Sequence, residues 1–191
     1  MPRRVGNEES CRKTRAIKGT PEQQNRPKTD SQASARGQGN KVKYLLDASA
    51  LIPLVTRRGK QLIIEACREN LVTTDLALYE ACNTLWKLAT LLNTIPIEDA
   101  VNVAITLKDL AVRSVIQPAD FTKLDFSQTL MTAHKERLTF YDASYITTAQ
   151  STEAILVTED EKLRKTAKKF VKTITYTELE NNLAQSYHSH G

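Results

Sequence analysis

Three carboxylates fall where the chain leaves a predicted strand or enters a predicted helix, and a fourth, Glu80, lies about one turn and a half into a predicted helix. They are Asp47 in "YLLDASAL", Glu80 in "TTDLALYEACNTLWKL", Asp142 in "LTFYDASYITTAQ" and Asp160 in "LVTEDEKL". Open parallel α/β sheets bind ligands outside the carboxyl ends of their strands, so a single cleft can collect all four. Two like charges about 4 Å apart repel by roughly 4 kcal/mol at an effective dielectric near 20. A divalent cation removes that penalty, and oxygen-only acidic donors suit Mg²⁺ or Mn²⁺, hard ions that keep several waters and take few protein ligands. Such a centre polarises a phosphate and lowers the pKa of water. With a second ion it stabilises both the entering and the leaving oxygen of an in-line displacement.

Each acid also has a plainer use. Asp47 and Asp142 suit helix N-caps, the commonest employment of Asp at such a junction, and Asp160 suits a cap for "EKLRKTAKKF". Glu80 could be a solvated helix residue, but Leu76, Tyr79, Ala81 and Leu85 surround it on a mostly apolar helix. No Ser/His/Asp set and no Gly-rich phosphate loop competes with the acidic cluster. His134, the only His in the part of the chain expected to fold, reads as a surface or hydrogen-bonded residue.

The elements that must position these acids alternate short apolar runs with helical patterns, the signature of βα units feeding a parallel sheet. Strands are expected at 42–46, 71–74, around Val115 and Ile116, at 154–158 and at 171–176. Helices are expected near 49–57, over "GKQLIIEACREN", over "LALYEACNTLWKLATLL" capped by Thr74 or Asp75, and after Pro96. The helix after Pro96 shows a broad apolar face of Ile97, Val101, Ala104, Ile105 and Leu107. Further helices are expected over "DFTKLDFSQTLMTAHKERL", over "ASYITTAQ" with Asp142 introducing it, and over "EKLRKTAKKF".

Composition divides the 191 residues. Residues 1–40 are poor in apolar side chains and hold nine Lys/Arg against four Asp/Glu, while residues 41–191 carry eighteen of each sign. We expect 1–40 to be a disordered basic tail: a solvated extension, an arm that attracts nucleic acid, or a stretch lying before the true start of translation. Residues 41–185 are expected to form the α/β domain, and 186–191 a frayed end. No signal peptide and no apolar run of roughly 18 residues is visible, so a cytoplasmic protein without membrane contact is expected. Cys11, Cys67 and Cys82 lack metal-ligand spacing, and Cys67 and Cys82 read as small core residues.

From about Val42 to Leu183 the chain resembles the PIN domain family, and within it the VapC-type toxins of toxin–antitoxin pairs, on the four motifs quoted above. The resemblance implies a three-layer α/β/α domain with a central parallel sheet and a Mg²⁺- or Mn²⁺-dependent endoribonuclease. In that reading Asp47, Glu80 and Asp142 bind the first ion and Asp160 completes the acidic pocket, while Ser49 and Thr158 orient the carboxylates. It further implies an RNA substrate cut to a 3′ hydroxyl and a 5′ phosphate, a homodimer, and a small antitoxin laid into the active-site groove. Two alternatives stand beside it: a PIN-fold RNA-processing nuclease without an antitoxin, and a catalytically idle PIN-like module that binds RNA or protein.

Overall fold

The computed structural model describes residues 42–58 and 70–188. The expected basic tail, the expected helix over "GKQLIIEACREN", Cys11, Cys67 and the last residues of the chain lie outside them.

In chain order the elements are β1 (Lys43–Leu46), α1 (Ala48–Arg58), β2 (Asn70–Thr74), α2 (Asp75–Trp86) with a π-helical turn (Lys87–Leu91), and α3 (Ile97–Val112). They continue with β3 (Gln117–Ala119), a 3₁₀ turn (Phe121–Lys123), α4 (Phe126–Glu136), α5 (Phe140–Thr152), β4 (Ile155–Val157), α6 (Glu161–Ala167), β5 (Thr173–Ile174) and α7 (Tyr176–His188). All five strands are parallel, in the order β3-β2-β1-β4-β5. Successive strand residues point to opposite faces of a sheet. Leu45 and Leu46, neighbours on the central strand, are both fully buried, so helices cover both faces. The result is the expected three-layer α/β/α architecture.

The chain builds from β1 outward to β2 and β3, then returns to place β4 on the other side of β1. The strand order therefore reverses between β1 and β4, and that switch point opens a crevice at their carboxyl ends. Helix α5 lies close to β1 and β4. It is buried without a break from Ala143 to Ala149, as a helix in the middle of a core must be. Among its buried hydroxyls, Thr147 Oγ1 lies 2.8 Å from Thr129 Oγ1 on α4 and Ser144 Oγ donates to Tyr141 O at 2.7 Å.

Several boundaries differ from expectation. The third strand lies at 117–119, two residues beyond Val115 and Ile116, and contains Pro118 opposite Thr73. Proline is tolerated there because β3 is an edge strand with one unpaired side. The long helix after Thr74 changes to π-helical winding at Lys87. The expected helix from Asp120 splits into a 3₁₀ turn and α4, because Asp125 accepts the Gln128 N–H and starts a new helix. On α3 the core takes Ala100, Leu107 and Leu110, which leaves Ile97, Val101 and Ile105 of the expected apolar face about half exposed. The closing strand keeps only Thr173 and Ile174, and α7, which the sequence reading did not assign, follows it. Cys82 is exposed rather than in the core. No described helix is long and apolar enough to cross a membrane.

Candidate functional site

Asp47 ends β1 at the switch point, and its side chain is 5% exposed. Its backbone N–H prolongs the ladder by donating to Val157 O on β4. Asp47 Oδ1 accepts from Ser49 Oγ at 2.6 Å and from the Ala50 N–H at 3.0 Å. Oδ2 accepts from Thr158 Oγ1 at 2.5 Å. The capping role is therefore real, since Asp47 holds the first turn of α1. Capping leaves the charge unexplained, however, because among the described residues no Lys, Arg or His pairs with it. Loss of water pushes the Asp47 carboxyl above the ordinary value, and the bonds from Ser49, Thr158 and the backbone only partly offset this.

The two small hydroxyl residues knit the crevice together. Thr158, fully buried at the end of β4, accepts the Asp160 N–H at 3.0 Å while donating to Asp47. Ser49 accepts the Glu159 N–H at 2.8 Å while donating to Asp47. The loop after β4 is thus fastened to the Asp47 carboxylate through one hydroxyl on each side. Asp160 Oδ1 caps α6 by accepting the Leu163 N–H at 2.8 Å.

Glu80 is half-buried on α2, which begins where Thr74 Oγ1 accepts the Ala77 N–H. Glu80 Oε2 accepts the Tyr145 hydroxyl at 2.6 Å. Asp142 lies in the first turn of α5, but Thr139 is the cap: its Oγ1 accepts the Asp142 N–H at 3.0 Å. The expectation that Asp142 introduces this helix is corrected on that point, because the helix starts at Phe140. Among the described residues no side chain donates to the half-buried Asp142 carboxylate.

The structure joins these residues in two linked sets. Asp47 and Asp160 share Thr158. Glu80 and Asp47 both act on the phenol of Tyr145, whose ionisation burial and those two charges suppress, and Tyr145 stands one turn beyond Asp142 on α5. Among the described residues no three His, Cys, Asp or Glu side chains stand close enough to enclose a metal by themselves. The donors are all oxygen and both oxygens of Asp47 already accept protein hydrogen bonds, so the set fits a hydrated hard ion and not a dry chelate. His134 is exposed, as expected.

Tyr145 was missed in the sequence. Its signal was its place: three residues after Asp142 in a helical segment, it must share a face with that acid. A cavity of about 760 Å³ is lined in part by Tyr79 and Tyr141, the sequence neighbours of Glu80 and Asp142, together with Phe126 and Phe140, while none of the four acids lines it.

The PIN domain model matches residues 44–169. Exonuclease VapC9 of Pyrobaculum aerophilum is 38% identical over 123 residues, which span 64% of this chain and 84% of that protein. The crystal structure of PAE2754 from Pyrobaculum aerophilum is similar with a TM-score of 0.60 at 35% identity, covering 75% of this chain and 96% of that one. VapBC-1 from nontypeable Haemophilus influenzae is similar at 18% identity with a TM-score of 0.45, over 71% of this chain and 99% of that one.

Proposed function

The chain belongs to the PIN domain family, and from that premise we propose that it is a metal-dependent ribonuclease, the toxin of a VapBC-type toxin–antitoxin pair. The observation that carries the chemistry is Asp47. A carboxylate buried at the switch point of the sheet, held by two hydroxyls and given no protein cation among the described residues, calls for a cation from solution. The relative named an exonuclease, at 38% identity, supports nuclease activity in particular.

Asp47, Glu80 and Asp142 hold a Mg²⁺ or Mn²⁺ ion in this reading, and Asp160 completes the acidic pocket from the loop after β4. When bound, the ion supplies Lewis-acid polarisation of a phosphoryl oxygen and a lowered pKa for water. Ser49 and Thr158 keep Asp47 in one orientation. The protein acts as a homodimer, with Ile97, Val101 and Ile105 supplying an apolar strip on one face of α3 for the second copy. A small antitoxin covers the acidic groove and silences it.

Cleavage of linear and circularised RNA by the purified protein in Mn²⁺ or Mg²⁺, beside Asp142→Asn and an EDTA control, tests the activity. Cutting that needs both the metal and Asp142 is expected. Cutting of the circle, which has no ends, is expected of an endonuclease, whereas loss of the linear substrate alone identifies an exonuclease. Equal behaviour of wild type and Asp142→Asn would overturn the assignment.

A further inference from the structure

Tyr145 is 3% exposed in the middle of the most buried of the described helices, yet its hydroxyl has a polar partner. It donates to Glu80 Oε2 at 2.6 Å. A phenylalanine would fill the same apolar space without needing a partner for a buried hydroxyl, so packing alone does not explain a tyrosine here.

What the hydroxyl adds is direction. A glutamate on a helix surface keeps much rotamer freedom, and with Oε2 pinned the other oxygen of Glu80 is left with a restricted range. The pin comes from α5, one turn beyond Asp142 on the same face, so it fixes Glu80 relative to that acid. One side chain thus connects α2 and α5, the two helices that carry Glu80 and Asp142.

We propose that Tyr145 is a positioning residue that sets the Glu80 carboxylate, relative to Asp142, for a divalent cation. This inference rests on the metal-dependent reading above and goes beyond it in assigning a role to a residue that does not touch the ion.

The test compares Tyr145→Phe with wild type in the full-length protein. Calorimetric titration with Mn²⁺ alone is expected to show at least about 10-fold weaker binding, the loss typical when a partner of a metal ligand is removed. RNA cleavage should lose kcat with KM little changed, and the circular dichroism spectrum in EDTA should match wild type. Unchanged Mn²⁺ affinity in a folded variant overturns the proposal and leaves Tyr145 a packing residue. If wild type itself binds no Mn²⁺, the metal reading fails first and takes this inference with it. A second measurement needs no variant: in wild type with labelled tyrosine, the Tyr145 hydroxyl proton should shift on adding Mg²⁺, as Glu80 shares its charge with the ion. A resonance that does not move overturns the proposal even where Tyr145→Phe fails to fold.

Discussion

Asp47 is where burial and charge conflict most directly. The unfolded chain releases the Asp47 proton at the ordinary carboxylate value, and the folded chain releases it only at a higher one. Between the two the native state binds more protons, so this group's contribution makes stability fall as pH rises through that window. In metal-free buffer at pH 7, Asp47→Asn should therefore melt higher than wild type, and the advantage should disappear below the ordinary carboxylate range. A variant that melts no higher at pH 7 would mean that the Ser49 and Thr158 bonds outweigh the lost hydration. Thr158→Val leaves Asp47 Oδ2 without its buried donor and should cost about 1–3 kcal/mol in urea unfolding. For Asp160 the capping and pocket roles can be separated. Asp160→Asn keeps a good N-cap for α6 and should hold its stability while losing nuclease activity; Asp160→Ala should lose about 1 kcal/mol as well. Full activity in Asp160→Asn would reduce that residue to a cap.

Among the elements, α7 shows how a helix can be written plainly and still be passed over. Thr175 Oγ1 accepts the Glu178 N–H while Glu178 Oε2 accepts the Thr175 N–H at 2.7 Å, a reciprocal capping box encoded in "TYTE". The Thr175 N–H and hydroxyl, both donating to Glu178 Oε2, hold the Glu178 carboxyl below its usual range. A reading that carried the final strand through Tyr176 hid this signal, because "VKTITY" alternates as a strand should. The strand stops where Tyr176 turns into the core beside Leu179 and Leu183. Thr175→Ala should cost about 1 kcal/mol in chemical denaturation, and an unchanged midpoint would show that packing of Leu179 and Leu183 alone sustains the helix. The edge strand β3 was misplaced for the opposite reason. Its Pro118 argues locally against a strand, and only pairing with β2 through residues 117–119 makes it one.

At the scale of the molecule, a ligand bound only by the folded state raises stability by mass action, about 2.7 kcal/mol at a hundred times its Kd. The melting temperature should climb with Mn²⁺ concentration, and curves in EDTA and in excess Mn²⁺ that superimpose would count against the pocket. The homodimer is tested on α3: a glutamate placed in an apolar contact is an unpaired buried charge costing roughly several kcal/mol. Val101→Glu should therefore sediment as a monomer where wild type sediments as a dimer. The two levels of information divide clearly. The alternation of strands and helices, the parallel sheet, the places of Asp47, Asp142 and Asp160 at strand ends or helix starts and that of Glu80 farther along α2 were legible in the sequence alone, because apolar period and junction residues are local properties of the chain. Which side of α3 is covered, that Thr139 and not Asp142 caps α5, and that a tyrosine ties Glu80 to the helix of Asp142 were decided only by the tertiary structure. Glu80 and Tyr145 are 65 residues apart, and Asp47 and Thr158 are 111 apart. No periodicity within one element specifies such contacts, since they exist only once β1, β2 and β4 lie side by side and bring their carboxyl ends to one crevice.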